Sequence, residues 1–245
     1  MSVFKLKAFD LKQTDSLQKM GSDSMLLGAS ISGDYNSILD VGTGTGILAL
    51  MMGQRNKNAL ISAIEPHLAS CKEALFNFEN SKFKDRLQVE HSKLQSFKTD
   101  QKFDLILSNP PYFENSTLGE NIIRNTARHT VNLSINDFYE FTSKLLSDNG
   151  VLTLIFPADL LKTHLDMAEL FKLYPIKNIS VVKDNNKPIR HIITYSFTKP
   201  ETVLKSDITI ALSNGKYSDN YIALTKDFYT HDLSKKQTAR NQPKK

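Results

Sequence analysis

The 245-residue sequence predicts an α/β fold with a mostly parallel central sheet that ends in an antiparallel C-terminal hairpin. Three observations predict this fold class. Short apolar segments rich in β-branched residues recur along the chain, helical segments lie between them, and a glycine-rich turn follows the first buried strand. Alternation of strands and helices is typical of parallel sheets whose strands are joined by crossover helices.

Residues 18–31, "QKMGSDSMLLGASI", come before the first predicted strand. They predict a loop followed by a short amphipathic helix. Ser22 or Asp23 is the predicted N-cap, because a side-chain oxygen at that position accepts a hydrogen bond from an N–H group that the helix leaves unpaired.

Five strand-like segments follow in order, each short and predominantly apolar. They are "SILDVG" (37–42), "LISAIEP" (60–66), "LQVEH" (87–91), "FDLILSNPPY" (103–112) and "VLTLIFP" (151–157). Since helical segments separate them, we expect these strands to lie parallel in one sheet.

The segments between the strands have the longer apolar periodicity of helices. They are 47–55, 67–81 and 136–150, and a fourth helical segment, 160–174, follows the fifth strand. For the segment 136–150, Asn136 or Asp137 is the predicted N-cap and Gly150 the predicted end of the last turn.

Two further strand-like segments, 176–184 and 190–199, are separated only by the polar turn "NNKP". A turn this short joins antiparallel strands, whereas parallel strands need a crossover of a dozen or more residues. The sequence therefore predicts an antiparallel pair at the C-terminal side of the sheet.

Composition limits the kinds of site that the chain can contain. Cys71 is the only cysteine, so an internal disulfide is excluded, and no Cys-x-x-Cys or His-Glu-x-x-His motif indicates a zinc site. A Gly-x-Ser-x-Gly elbow and a Gly-Lys-Ser/Thr phosphate loop are also missing. We therefore expect no metal and neither of these hydrolase or NTPase chemistries.

The formal charge of +5 is concentrated at the C-terminus, where residues 234–245 carry five basic side chains and no acid. We predict one domain over residues 1–233 with a neutral net charge, followed by a disordered basic tail over 234–245 that attracts phosphates. No apolar run approaches the roughly 18 residues that cross a bilayer, and Lys and Asp interrupt the N-terminus, so we expect no membrane segment and a cytoplasmic location.

The turn "DVGTGTG" indicates a nucleotide-type ligand other than a dinucleotide. Its glycines, Gly42, Gly44 and Gly46, allow a tight turn and close approach of a ligand to the backbone, but their spacing is one residue short of the dinucleotide fingerprint. Asp40 precedes the turn and can approach an ammonium group directly or through water. Glu65 ends the next strand, where a carboxylate can accept both hydroxyls of a ribose.

These features fit S-adenosylmethionine, which carries an ammonium, a carboxylate and a ribose. Backbone N–H groups of the turn can hold its carboxylate. Thr43 within the turn and Pro66 after Glu65 complete the set of donor-binding residues predicted on these two strand ends, and Asn109 after the fourth strand is predicted to contact the donor as well.

The step "NPPY", Asn109, Pro110, Pro111 and Tyr112, follows the fourth strand and predicts the catalytic site. In a sheet of this order it lies beside the glycine turn, at the crevice where ligands bind. Each proline restricts the residue before it, so the Asn109 side-chain oxygen and the Pro110 carbonyl become two fixed acceptors for the hydrogens of an exocyclic amine. Tyr112 supplies a flat surface on which a base can stack.

In this order, "DVGTGTG", Glu65 and "NPPY" resemble the class I S-adenosylmethionine-dependent amino methyltransferases. Further segments narrow the resemblance to the bacterial tRNA1(Val) adenine(37)-N6-methyltransferase family over residues 4–232. They are "FKLKAFDLKQ", "KMGSDSMLLGA", "NPPYF", "ARHTVNLSINDFYEF", "PIRHIITYSF" and "YIALTKDFY". The resemblance implies a Rossmann-like, seven-stranded sheet and methylation of N6 of adenosine 37 in the anticodon loop of a valine tRNA.

The resemblance also implies roles for residues outside the two motifs. Residues 1–36 form a segment that covers the methyl donor, with donor contacts from Met20, Gly21, Ser22 and Asp23. Arg128, His129, Lys187 and Arg190 are the candidates for holding RNA. The third strand is followed by "HSK" where many members have an acidic residue for the donor adenine, which leaves a backbone N–H or the Ser92 hydroxyl as the candidate there.

Three alternatives remain open from the sequence. "NPPY" can bind a glutamine amide by the same two acceptors, which describes an N5-glutamine protein methyltransferase, although about 36 residues before the first strand are too few for the helical domain such enzymes carry. An rRNA guanine-N2 methyltransferase also uses an Asn-Pro-Pro step. A catalytically silent RNA-binding scaffold is the alternative that is not an enzyme.

Overall fold

The computed structural model describes residues 2–13, 21–110, 133–182 and 187–234. In these residues, two strands form an N-terminal hairpin and eight form the central sheet. The hairpin strands are β1 (Ser2–Lys5) and β2 (Asp10–Gln13). The sheet strands are β3 (Ser37–Val41), β4 (Leu60–Ile64), β5 (Leu87–Glu90), β6 (Phe103–Ser108), β7 (Leu146–Pro157), β8 (Tyr174–Val182), β9 (Pro188–Ser196) and β10 (Leu204–Thr209).

The described helices cover both faces of the sheet. They are α1 (Ser22–Ser30), α2 (Ile47–Arg55), α3 (Leu68–Glu79), α4 (Ile135–Leu145), α5 (Leu161–Leu170) and α6 (Asp219–Thr225), with short 3-10 turns at Lys84–Arg86, Leu94–Ser96 and Ala158–Leu160. Helices α1, α2 and α3 pack in one apolar core, and α4 and α5 pack in a second core on the opposite face. None of the helices in these ranges is long and apolar enough to cross a membrane.

The sheet confirms the predicted fold class. Its strand order is β10-β8-β9-β7-β6-β3-β4-β5, and the five strands from β7 to β5 are parallel. Strand β9 is antiparallel to β8, as the short connection predicts, and it is also antiparallel to β7. The chain moves outward from β3 in one direction through β4 and β5 and returns on the other side at β6, which makes the ends of β3 and β6 the switch point for ligand binding.

The number of strands differs from the expected seven, because the described sheet has eight. The additional strand, β10, pairs parallel to β8 at the edge, and Ile208 is its one buried residue. An edge strand with so little buried surface has no apolar pattern from which it could be predicted. The hairpin of β1 and β2 was likewise not predicted.

The predicted helix caps are wrong. Gly21, not Ser22 or Asp23, is the N-cap of α1, and no side chain caps that end. Helix α1 is also buried at seven of its nine positions rather than amphipathic, since it packs between α2, α6 and β7. For α4 the cap is Ser134, whose Oγ accepts a 3.0 Å hydrogen bond from the Asp137 N–H, so Asn136 and Asp137 lie in the first turn.

Helix α4 ends at Leu145, and the predicted end at Gly150 is wrong. Residues after Leu145 already belong to β7, whose register with β6 shifts between Phe103 and Leu105. A Cβ atom at Gly150 would lie 2.6 Å from the Phe103 carbonyl oxygen and 3.0 Å from the Ser147 carbonyl oxygen. This glycine therefore permits a close approach of two strands instead of ending a helix.

The two ends of the described chain meet over the core that contains α1. The Lys7 N–H donates to the Phe228 carbonyl at 2.8 Å, and Leu6 forms an antiparallel bridge with Tyr229. Phe228 is fully buried, and the Arg55 guanidinium lies 5.0 Å from the centre of its ring. Segments distant in sequence thus hold α1 against the sheet.

We predict that Gly150→Ala lowers the free energy of unfolding by about 2–3 kcal/mol, because the new methyl group meets backbone oxygens that cannot rotate away. Urea unfolding at equilibrium measures this change. Gly21→Ala is the control, since a Cβ atom there has nothing within 4 Å and the Gly21 φ is −111°. An equal loss in the two variants would contradict the close-approach role of Gly150.

Candidate active site

The loop between β3 and α2 has a left-handed backbone conformation at three positions, which favours glycine there. Gly42, Gly44 and Gly46 have φ angles of 71°, 57° and 87°, in the left-handed region that other residues rarely adopt. The N–H groups of Gly42 and Thr43 donate to the Ile64 carbonyl at 2.9 and 3.1 Å. A Cβ atom at Gly46 would lie 2.5 Å from Cε1 of the Phe78 ring, so this position also lets α3 pack closely.

Asp40 lies beneath this loop and is fully buried. Its Oδ2 accepts hydrogen bonds from the Thr43 hydroxyl at 2.5 Å and the Ala49 N–H at 3.1 Å. Its Oδ1 is buried without a hydrogen-bond partner among the described residues. Burial raises the pKa of the Asp40 carboxyl to about 7, although the two hydrogen bonds lower it, and nearby Glu65 raises it further.

Glu65, at the end of β4, holds the loop from the other side. Its Oε2 accepts a 2.8 Å hydrogen bond from the Gly44 N–H, and its Oε1 accepts one of the same length from the His67 N–H. Each carboxylate oxygen has a second lone pair, so these bonds leave acceptor capacity for ribose hydroxyls. The structure therefore places an acid at each of the two strand ends, as the sequence indicates.

A pocket of about 230 Å³ opens between the glycine loop, α1 and the end of β6. It is lined by residues 21–24, 42–45, 47–48, Asn109, Pro110 and Arg190. It brings together seven predicted donor-binding residues, Gly21, Ser22, Asp23, Gly42, Thr43, Gly44 and Asn109. Five others do not line it, Asp40, Gly46, Glu65, Pro66 and Ser92.

Two of the predicted residues outside the pocket are engaged elsewhere. The Pro66 carbonyl lies 3.0 Å from Nε2 of His91, and the exposed Ser92 hydroxyl donates to the Lys93 carbonyl at 3.1 Å. Both lie at the ends of β4 and β5, beyond the described pocket wall. Their proposed contacts with the adenosine half of the donor stay predictions.

Asn109 reaches the pocket because β6 pairs with β3. The register places Asp40 opposite Leu107, and the Ser108 hydroxyl donates to the Val41 carbonyl at 2.7 Å, so Asn109 lies level with Gly42. The Asn109 Nδ2 donates to the Ser24 hydroxyl at 3.0 Å. Pro110 is buried beside it and lines the same pocket.

The structure does not describe every predicted residue. Pro111, Tyr112, Met20, Arg128, His129 and the basic tail from residue 235 onward lie outside the described residues. Their assigned roles stay predictions.

Arg190 lies in the pocket wall, although the resemblance assigns it to RNA. Its Nε donates to Oδ2 of Asp23 at 2.8 Å, and the two side chains are only 27% and 21% exposed. Lys187, three residues earlier, is exposed. The ion pair joins the first turn of α1 to the start of β9 across the pocket.

Sequence reasoning missed the residues that support the loop from behind. The buried Asn77 on α3 donates to the Thr45 carbonyl at 2.8 Å and exchanges two hydrogen bonds with the Lys12 backbone, at 2.9 and 3.1 Å. Through Asn77 the N-terminal hairpin is fastened to the glycine loop. Ser24 and Thr45 were also missed as pocket residues, although both lie inside segments that the sequence analysis singled out, "KMGSDSMLLGA" and "DVGTGTG".

The residues present fit S-adenosylmethionine. The buried Oδ1 of Asp40 is an unsatisfied acceptor beneath the loop, and such an atom favours a cationic or hydrogen-bond-donating group nearby. Three glycines, two threonines and Asp23 are among the residues that line the pocket. No group of three His, Cys, Asp or Glu side chains in the described ranges can hold a metal ion.

Comparison with known proteins identifies the family of the chain. The methyltransferase small domain family matches residues 16–187. The tRNA1(Val) (adenine(37)-N6)-methyltransferase of Christiangramia forsetii is 38% identical over 92% of this chain and 97% of its own length. That of Haemophilus influenzae strain 86-028NP is 36% identical over 94% of this chain and 99% of its own length.

Solved structures of more distant proteins show the same fold. A predicted O-methyltransferase of Agrobacterium tumefaciens has a TM-score of 0.65 at 16% identity, over 84% of this chain and 96% of that one. A methyltransferase of Pyrococcus furiosus has a TM-score of 0.56 at 20% identity, over 77% and 89%. The match to the family model and the two relatives above show which family the chain belongs to. It is a member of the methyltransferase small domain family and, within it, of the tRNA1(Val) (adenine(37)-N6)-methyltransferase family, whose methyl donor is S-adenosylmethionine.

Proposed function

We propose that this enzyme transfers a methyl group from S-adenosylmethionine to N6 of adenosine 37 in the anticodon loop of tRNA1(Val). The observation that supports it best is the position of Asn109 and Pro110, which follow β6 and line the same pocket as the glycine loop. The substrate comes from the names of the relatives, which align with nearly the whole chain.

The donor-binding residues divide between the two ends of the ligand. Asp40 beneath the loop and Asp23 in the pocket wall supply negative charge for the α-ammonium, and backbone N–H groups of the loop hold the α-carboxylate. Glu65 accepts from the ribose hydroxyls with the lone pairs that Gly44 and His67 leave unused. When bound, S-adenosylmethionine supplies an electrophilic methyl group on a positively charged sulfur.

The catalytic residues make the adenine amine a better nucleophile. The lone pair of N6 is delocalised into the base, so the planar amine reacts poorly. The Asn109 amide oxygen and the Pro110 carbonyl oxygen accept its two hydrogens and stabilise the more tetrahedral nitrogen of the transition state. After the methyl group has been transferred, N6 releases one proton to solvent, so no strong general base is needed.

The acceptors are fixed before the substrate arrives. Pro111 restricts Pro110, and Pro110 restricts Asn109, so little reorganisation is required at the moment of reaction. The Asn109 side chain is further held by Ser24. Tyr112 provides the surface on which the adenine stacks.

A loop nucleotide suits a small enzyme of this kind. Turning a base out of its stack costs a few kcal/mol and costs least in single strands. We assign residues 1–233 to one domain, with residues 234–245, which carry five basic side chains, as an RNA-attracting tail. Lys187, Arg128 and His129 are the remaining candidates for RNA contact, and a tRNA substrate favours a cytoplasmic location.

We predict that the enzyme and S-adenosylmethionine convert one adenosine of an unmodified tRNA1(Val) transcript to N6-methyladenosine, at position 37. Nuclease digestion followed by mass spectrometry locates the methylated nucleotide. The matched control is the same transcript with A37→G, which should accept no methyl group at that position. Methylation of protein or rRNA in preference to tRNA would contradict the assignment.

We predict that Asn109→Ala lowers kcat about 100- to 1000-fold, because one of two preorganised transition-state contacts is lost. Donor affinity, measured by calorimetry without RNA, should stay within about twofold of the wild type, since the amide oxygen acts on the substrate amine. A loss of donor affinity as large as the loss of kcat would show that Asn109 mainly binds the donor.

We predict that donor affinity increases with pH between about 5 and 7. The raised pKa of Asp40, about 7, leaves its carboxyl protonated below that pH. A bound ammonium favours the carboxylate and lowers this pKa, so binding releases a proton and affinity is lost as the pH falls, by up to about tenfold per pH unit.

Calorimetry in buffers of different ionisation enthalpy measures both the affinity and the released proton. Asp40→Asn removes the titrating group, so the affinity of this variant for the donor should not change with pH between about 5 and 7. If donor affinity in Asp40→Asn still rose with pH as steeply as in the wild type, the role of the buried carboxyl would be contradicted.

A further inference from the structure

We propose that Ser24 is a positioning residue for catalysis, because its hydroxyl selects the orientation of the Asn109 amide that methyl transfer requires. This inference rests on the function proposed above, in which the Asn109 oxygen accepts a hydrogen from the substrate amine. The two residues are 85 positions apart in sequence, and the Asn109 Nδ2 donates to Ser24 Oγ at 3.0 Å. Both line the donor pocket.

The orientation of a primary amide decides which group it presents. Rotation of the Asn side chain by about 180° exchanges its carbonyl oxygen for its NH₂ group at little intrinsic cost. The oxygen can accept from an amine, whereas the NH₂ group offers only donors and would oppose it. A hydrogen bond from Nδ2 to Ser24 turns the amide oxygen to the side away from Ser24 and leaves it for the substrate.

A helical serine is suited to the accepting role. In helices a serine hydroxyl can give its own proton to a carbonyl three or four residues earlier in the chain. Elsewhere on α1, the Ser30 hydroxyl donates in this way to the Leu27 carbonyl at 2.8 Å. Whichever acceptor takes its own proton, the Ser24 hydroxyl oxygen keeps lone pairs for the Asn109 NH₂ group.

The Ser24 side chain is held rigidly enough to position another group. Ser24 is 8% exposed, and the next three residues, Met25, Leu26 and Leu27, are fully buried. The residue before it, Asp23, is fixed by the ion pair with Arg190. The orienting hydroxyl therefore belongs to the core and does not need to be ordered when substrate binds.

The inference is tested by comparing the wild type with the variants Ser24→Ala and Ser24→Thr. Ser30→Ala is the matched control. Ser30 lies on the same helix, is 6% exposed and does not line the pocket. Measured quantities are kcat and KM with tRNA, donor affinity without RNA, and the thermal midpoint of unfolding. The two alanine variants should lose a similar few degrees of thermal stability.

We expect Ser24→Ala to lower kcat about tenfold, the equivalent of one hydrogen bond, with donor affinity unchanged. Ser24→Thr keeps the hydroxyl and should retain most of the wild-type kcat, and Ser30→Ala should retain all of it. Wild-type kcat in Ser24→Ala would overturn the inference. So would an equal loss in Ser24→Thr, or a fall in donor affinity that accounts for the loss of kcat.

Asn109→Ala separates a failure of this inference from a failure of the proposed function. Full activity in Asn109→Ala would remove the catalytic role of the amide, and the role of Ser24 with it. An inactive Asn109→Ala beside a fully active Ser24→Ala would retain the proposed function and overturn only the positioning role.

Discussion

Two buried carboxylates at the ends of adjacent strands hold the glycine loop, and the rest of the site depends on them. Asp40 accepts from Thr43 and from the first turn of α2, while Glu65 accepts from Gly44. Together they fix a backbone that three left-handed glycines make possible. Burying Asp40 in this way is unfavourable for its ionised form, which the raised pKa of about 7 reports. The protein thus maintains beneath the loop an acceptor that a cationic ligand can stabilise.

Helix α1 connects the donor pocket to the catalytic step. Its first turn lines the pocket, its Ser24 meets Asn109, and its Asp23 pairs with Arg190 at the start of β9. The helix has little surface of its own in solvent, since it packs against α2, α6 and β7. The N-terminal hairpin and the C-terminal segment meet over this region through Lys7 and Phe228. Elements far from the motifs therefore determine how firmly the reacting groups are held.

Local patterns predicted the parallel sheet and its antiparallel pair, because buried strands alternate with helices in the sequence. The positions of Asp40, Glu65 and Asn109 were also predictable, since each lies at the end of a strand and the carboxyl ends of parallel strands share one edge. Contacts between distant segments were not predictable in this way: nothing near Ser24 indicates Asn109, and nothing near Asp23 indicates Arg190. The edge strand β10 buries too little surface to produce an apolar pattern in the sequence. Gly150 resembles the glycine that often ends a helix, but the structure needs glycine there because the Phe103 carbonyl oxygen lies so close.

The central claim is that two fixed oxygens, one from an amide side chain and one from a peptide bond, receive the amine that is methylated. A crystal structure of the enzyme with a non-reactive donor analogue and an anticodon stem-loop containing A37 tests it most directly. The account predicts N6 of the adenine about 3 Å from both Asn109 Oδ1 and the Pro110 carbonyl oxygen. An ordered adenine in the pocket with N6 turned away from both oxygens would contradict it.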